Sequence, residues 1–227
     1  MTGYSDLLSV ENLLVQVANS DRGEPDVYEL IILSILMRGT AHGYLISKII
    51  NNIFGPYTKI SNGRLYPLLA KLQNEGLIQT ASEQECTIQN VQSERHARSY
   101  TVTEAGRQRF HALMMDTTSN PGDYQRFFWH KAQMLKYVQP KERIYLVEHY
   151  LNYCQTHILH LIAKREDIAN LSNDHLDFDS RQALLGTMQH MIDIWQLELS
   201  WAQQLHKDVI QTMLVQEEDT SEKIEHV

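Results

Sequence analysis

The 227-residue chain is 43% hydrophobic, carries a formal charge of −8, and has two cysteines, Cys86 and Cys154, outside any CxxC spacing. That composition supports a sizeable core, in one large domain or two small ones, and supplies neither a zinc framework nor a disulfide set. No apolar run approaches the ~18–20 residues of a membrane helix. The MTGYSDLLSVEN start has no basic stretch followed by an apolar one, so a cytoplasmic protein that meets no membrane is expected.

Residues 5–17 place Leu7, Val10, Leu13, Leu14 and Val17 at helical spacing, which predicts a helical extension over 1–25 that ends in the linker SDRGEP. Pro25 suits the first turn of a new helix over 26–38. That helix is apolar nearly all round and therefore expected to be buried. A second helix opens at His42-Gly43-Tyr44, with Leu45, Ile46, Ile49, Ile50 and Ile53 inward and Lys48, Asn51 and Asn52 outward. Gly55-Pro56 stops it.

The third helix starts at Ser61, an N-cap residue type. Leu65, Leu68, Leu69 and Leu72 follow one face. Arg64 and Lys71, seven apart, share the outward face with Asn62, Gly63 and Tyr66. Pro67 meets the carbonyl of Gly63, whose backbone can yield, so a continuous helix is expected. A short strand, 77–80, a polar excursion to about Ala97 and a returning strand, 98–103, follow. Thr103 then caps a fourth helix, with Phe110, Leu113 and Met114 inward.

Charge is distributed unevenly: −3 over residues 1–25, +1 over 26–116 and −6 over 117–227. No Asp or Glu lies between Glu29 and Glu75, a stretch that holds Arg38, Lys48, Lys59, Arg64 and Lys71. An acidic protein that keeps one segment free of acids has a surface suited to phosphates. Three helices followed by a two-stranded ribbon is the winged helix-turn-helix arrangement. Its third helix offers donors that read base edges and grip phosphates in a major groove.

The remainder is helical. SNPGD (119–123) is a turn, Phe127, Phe128, Met134 and Leu135 mark a helix before Gln139-Pro140, and a long helix runs over about 140–170. DFDSRQ (177–182) opens the last helix, whose apolar seam is Leu185, Met188, Ile192, Trp195, Leu199, Ala202, His206, Val209 and Met213. That seven-residue repeat calls for a partner. A second subunit is expected on Leu185, Met188, Ile192, Trp195, Leu199, Ala202 and Val209. The fold expected is thus mainly α: a winged helix-turn-helix domain (26–118), an antiparallel helical dimerisation domain (119–214), and a disordered tail (215–227).

The motifs HGY, SNGRLYPLLAKLQNEGLI and RSYTVTEAGR, in that order, resemble the PadR family of bacterial transcription regulators. The resemblance rests on Gly43-Tyr44, Leu65-Tyr66-Pro67-x-Leu69, Glu75-Gly76-Leu77-Ile78, Tyr100, Thr103 and Gly106, and covers about 30–110. The C-terminal half is similar to the larger, virulence-activator-type subclass. The resemblance implies a homodimer that sets paired third helices into successive major grooves of a near-palindromic DNA operator. It also implies a repressor released by a small aromatic effector such as a phenolic acid. The extension before residue 26 and the long wing, with Glu83, Glu85 and Glu94, depart from the family pattern.

The DNA-contacting set expected is His42, Tyr44, Lys48, Lys59, Ser61, Asn62, Gly63, Arg64, Tyr66, Lys71, Arg95, His96 and Arg98. Tyr44 and Tyr66 are equally suited to packing between helices. Phe128, Trp129, His130 and Trp201 are the effector candidates, with Arg126, Lys131 or His130 available to a ligand carboxylate. His149, His157 and His160 have the spacing of a metal site, but coincidence among eleven histidines is the better reading. No metal or cofactor is expected. No GxSxG, P-loop, dinucleotide or zinc-hydrolase signature occurs, which argues against an enzyme. The competing function is a protein-interaction module that uses the acidic helical half, with the winged helix as a docking domain.

Overall fold

The computed structural model describes residues 24–54, 59–81, 98–118, 121–171 and 177–225, with side chains from 27 to 215. The helix expected over 5–17 and the wing residues 82–97 lie outside the described residues. Those described form two units, one ending at Met134 and the other beginning at Leu135.

In the first unit, α1 (Glu24–Arg38) is apolar around its circumference and is buried accordingly, with Leu30, Ile31, Ile32, Leu33 and Leu36 all at or below 2% exposure. Glu29, on the same helix, is also buried, and it receives Arg109 Nε at 2.6 Å and Nη2 at 3.3 Å in a two-pronged pair. A buried carboxylate needs such a partner because burial strips its water. β1 (Ala41–His42) leads into α2 (Gly43–Phe54). α2 buries Ile46 and Ile50 and leaves Ile53 more exposed than its spacing suggests. Asn51 does not face outward as expected. Its Oδ1 accepts the N–H of Ile60 at 2.7 Å and so ties the approach to the next helix back onto α2.

α3 (Asn62–Asn74) runs unbroken through Pro67, with Leu65, Leu69 and Leu72 fully buried. Ser61 takes the N-cap position but its hydroxyl makes no cap bond, the first-turn N–H groups of Arg64 and Leu65 going to its backbone carbonyl. At the other end Gly76 adopts φ 71°. The Leu77 N–H reaches the Leu72 carbonyl at 2.9 Å and the Gly76 N–H reaches the Gln73 carbonyl at 3.0 Å. This pair of bonds closes the helix in the left-handed conformation that glycine adopts without cost.

β2 (Ile78–Ala81) and β3 (Ser99–Val102) pair antiparallel, Ile78 against Val102. β1 adds to the far side of β3, Ala41 against Tyr100, so the sheet has three strands in the order β1-β3-β2. The third strand corrects the two-stranded expectation: two residues are too few to show an alternating pattern. α4 (Glu104–Met115) begins at a tight joint. Thr103 Oγ1 donates to the Gly76 carbonyl at 2.6 Å and accepts from the Gly106 N–H at 3.0 Å. A Cβ on Gly106 would stand 2.0 Å from the Leu77 carbonyl oxygen.

A short 3-10 turn (Pro121–Asp123) precedes α5 (Tyr124–Ala132). This helix belongs to the first unit, so the division falls after Met134 rather than at residue 118. Two contacts hold it there. The Lys131 ammonium donates to the Asp116 carbonyl at the end of α4, and Phe128 is completely buried.

In the second unit, a 3-10 turn (Leu135–Tyr137) precedes α6 (Pro140–Ala169), which starts on a proline with the Gln139 N–H held by Glu142 Oε2 at 2.9 Å. α7 (Phe178–Glu225) is opened by Asp177, whose carboxylate accepts the N–H of Ser180 at 2.9 Å. α7 therefore passes well beyond residue 214, where disorder was expected to begin: once a helix is nucleated, Glu, Gln and Lys extend it at little cost. α6 and α7 pack against one another, and the seam of α7 is filled from within the chain. Met188 and Ile192 share a core with Leu161 and Ile168, with Leu185 and Trp195 packed against it. Ala202 is fully buried, and Leu199 and Val209 are half-buried. The residues expected at a dimer interface, Leu185, Met188, Ile192, Trp195, Leu199, Ala202 and Val209, thus line the α6–α7 hairpin. A heptad repeat demands a partner helix without saying whose it is. Among the described residues no helix is long and apolar enough to cross a membrane.

Gly106→Ala should destabilise the protein by roughly 2 kcal/mol, because a methyl group cannot share space with the Leu77 carbonyl without moving α4 off the sheet. Thermal denaturation measures this, and an unchanged midpoint would mean the joint is looser than described.

Candidate nucleic-acid interface

The leucine face of α3 sets the geometry of the opposite face. With Leu65, Leu69 and Leu72 turned inward, the helical period sends Asn62, Gly63, Arg64, Tyr66 and Lys71 to solvent, and all five are exposed, as are Ser61 and Lys59 before the helix. From α2, Lys48 is exposed and Tyr44 is 63% exposed. Arg98, at the start of β3, is exposed too. His42 differs: it is half-buried in β1 with its Nδ1 2.8 Å from Ser99 Oγ, a contact that staples β1 to β3. Arg95 and His96 lie outside the described residues.

Tyr66 is 46% exposed, yet its ring also lies against Gly43. A Cβ at Gly43 would sit 3.0 Å from Tyr66 Cε1. The glycine at the start of α2 thus lets the tyrosine of α3 lie close across it, which gives the Gly43-Tyr44 and Leu65-Tyr66-Pro67 motifs one shared physical purpose. Arg64 Cζ stands 4.8 Å from the centroid of the Tyr28 ring, a cation–π contact. Lys71 pairs with Glu75 at 3.8 Å, one turn on, with both side chains about half-exposed. A pair this open contributes little and yields readily to a phosphate.

The two acids that bound the acid-free stretch are accounted for. Glu29 is sealed against Arg109 and Glu75 lies beside Lys71. Between them the exposed charges on α2, α3 and the connecting residues are all positive.

The effector candidates fare differently. Phe128 is core, with no exposed surface. Trp129 is 45% and Trp201 39% exposed, and they belong to different units. Burial, with Arg126 nearby, lowers the His130 pKa to about 4, so the imidazole is neutral near pH 7 and offers a carboxylate no positive charge. Lys131 is 1% exposed and committed to the Asp116 carbonyl, with burial lowering its pKa to about 8. It caps the C-terminal end of α4, where a cation is favoured, and does not reach solvent. Arg126 lies over the Phe54 ring at 5.6 Å.

Sequence reasoning singled out Trp195 and Trp201 but missed the aromatic partners that α6 brings to them inside the hairpin. His157 stacks on Trp195 at 4.3 Å, Tyr153 meets both at 4.5 and 5.7 Å, and Tyr150 meets Trp201 at 6.2 Å. The Tyr150 hydroxyl donates to Glu198 Oε1 at 2.5 Å, and burial raises its pKa and takes that of Cys154 up to about 12. The signal available was the spacing of aromatics over both long helices. His157 is thus an aromatic packing partner, and among the described residues no group of His, Cys, Asp or Glu is placed to hold a metal.

The family model for the transcriptional regulator PadR-like family matches residues 32–112, which takes in the C-terminal half of α1, then β1 to β3 with α2 and α3, and most of α4. That match spans about a third of the chain and makes this segment similar to the PadR-like regulators. Among curated proteins, the negative transcriptional regulator PadR of Bacillus subtilis (strain 168) is 28% identical over 116 residues, covering 51% of this chain and 60% of that protein. The chain therefore aligns with less than two thirds of that relative's length. Among solved structures, Bacillus subtilis PadR in complex with operator DNA has a TM-score of 0.34 and 22% identity, over 77% of this chain and 98% of that one. The same protein in complex with p-coumaric acid has a TM-score of 0.34 and 21% identity, over 78% and 99%. Both the family model and the curated relative are described as transcriptional regulators.

Proposed function

We propose that this PadR-like regulator is a cytoplasmic repressor that binds a near-palindromic duplex as a homodimer and lets go of it when a small aromatic compound binds. The observation that carries the DNA reading is the exposed face of α3. Arg64 and Lys71 stand opposite three sealed leucines, in a stretch whose exposed charges are all cationic. α3 is the reading helix, with Arg64 suited to the two acceptors of a guanine edge. Lys48, Lys59 and Lys71 are suited to phosphates, and Arg98 to the backbone beside the groove. Repression is supported by the 28% identity over 116 residues to a negative regulator.

The dimer contact we propose lies on the outer face of α7. With its seam occupied by α6, α7 still exposes Ile194, Leu197 and Trp201 at 47%, 74% and 39%, spaced three and four apart along one face. His206 lies 3.5 Å from Glu148, so the antiparallel register brings residue 214 level with the start of α6. Leu214 and Val215 are exposed there. A second copy of the same helix is the partner of matching length and chemistry, and two copies are what paired half-sites require.

For the effector we propose the aromatic group of the hairpin. Residues 144–163 of α6 and 182–206 of α7 contain no Lys or Arg, while Glu148, Asp193 and Glu198 lie within them. A carboxylate such as that of a phenolic acid finds no permanent cation there, so a neutral or cationic aromatic suits the site better.

Selection from a random-duplex library should enrich one sequence. On that duplex, Arg64→Ala should cost about 1–3 kcal/mol and relax the preference at one base pair, whereas Lys48→Ala should weaken all duplexes alike and lower the salt slope by about one. If nothing is enriched, the winged helix is a docking module and the repressor reading fails. Leu197→Glu should shift the protein to monomer in sedimentation experiments, and a dimer that persists unchanged removes the outer face of α7 from the interface. A cationic aromatic dye should quench tryptophan fluorescence and release the selected duplex at matching concentrations, with p-coumarate weaker in both. Quenching without release would defeat the effector reading.

A further inference from the structure

Arg64 does not extend into solvent as an unrestrained side chain. Its guanidinium lies over the face of Tyr28, 4.8 Å from the ring centroid, although the residue as a whole is exposed. Tyr28 is 3% exposed and sits on α1 among wholly buried aliphatics, so its ring has little room to swing. Behind it, the Phe54 ring packs at 5.2 Å and 46°. Phe54 is gripped in turn from α5 by the Arg126 guanidinium at 5.6 Å and the His130 ring at 6.1 Å. Rings and cations thus form one chain of contacts, entirely within the first unit, that runs from α3 through Tyr28 and Phe54 to α5.

We infer that Tyr28 is a positioning residue for DNA recognition, its ring holding the Arg64 guanidinium in place before a duplex arrives, with Phe54 as its support. The inference rests on the DNA-binding reading above. An arginine that reads a base edge must give up the rotamer freedom of a long side chain. Restraint in the free protein removes part of that cost from the binding step. A ring face suits this task because it attracts a cation without itself presenting a lone-pair acceptor that would compete with the base edge. A carboxylate in the place of Tyr28 would hold the arginine as well but would compete with the base and repel phosphate. No motif signals the arrangement, because Tyr28 and Arg64 are brought together only by the packing of α1 against α3.

The test uses full-length protein and the duplex enriched from a random library by the wild type. Tyr28→Leu should weaken binding to that duplex by roughly fivefold, leaving the affinity for an unrelated duplex and the salt slope as they were. Tyr28→Phe, which keeps the ring, should restore binding to the wild-type level. In an Arg64→Ala background, Tyr28→Leu should have no further effect on the enriched duplex. An equal loss in both backgrounds, or a Tyr28→Phe variant as weak as Tyr28→Leu, overturns the inference. If Tyr28→Leu does not fold, NMR of the wild type without DNA decides. The Arg64 δ-methylene protons, assigned by their loss in Arg64→Lys, should be shifted upfield by the ring current, and ordinary positions overturn the inference. Failure of the library to enrich any sequence defeats the DNA-binding reading, while the NMR result still decides whether Tyr28 holds Arg64.

Discussion

Three leucines on one side of α3, Leu65, Leu69 and Leu72, have no exposed surface at all, and the geometry of the opposite, cationic face depends on this. Burying such side chains contributes on the order of 2 kcal/mol each, far more than any single exposed charge can oppose. The helix is therefore locked in rotation, and a period of 3.6 residues leaves Arg64 and Lys71 no choice of side. The Gly76 turn and the Thr103–Gly106 joint then fix where the helix ends and where α4 begins. Each of the glycines at 76 and 106 answers a specific demand, a left-handed backbone at one and a carbonyl in near contact at the other.

Charge is managed inside the first unit as strictly as apolar surface. Glu29 is buried but paired with Arg109, and Lys131 is buried but donates to the end of α4. Leaving either group alone in the interior would be costly. These links cross between α1 and α4 and between α4 and α5, and they make α5 part of the winged-helix unit. They also remove Lys131 from the set of groups that could meet a ligand, while His130 is left without charge near pH 7.

The hairpin shows how one helix can carry two apolar faces with different duties. The face of Met188, Ile192 and Ala202 closes on α6, with Tyr150, Tyr153, His157 and Trp195 forming an aromatic interior beside it. The face of Ile194 and Leu197 stays open, with Trp201 at its edge, half-exposed and also packed on Tyr150. A single periodic pattern cannot distinguish the two, since both repeat every three to four residues. Which face meets the chain's own α6 is decided by the register that places Tyr150 against Glu198.

From the sequence alone one could read the order of helices and strands in the winged unit, the inward leucines of α3, the outward Arg64 and Lys71, and the long helical C-terminal half. These follow from local periodicity, from Gly and Pro at element ends, and from an acid-free stretch, all of which the linear chain displays. Only the tertiary structure decided that β1 joins the sheet, that α5 packs with the first unit, that the seam of α7 belongs to α6, that α7 runs to Glu225, and that Tyr28 lies beneath Arg64. The physical reason is common to most of these. Each is a contact between residues far apart in the chain, and a pattern of spacing reports which face of an element must be covered but carries no information about what covers it.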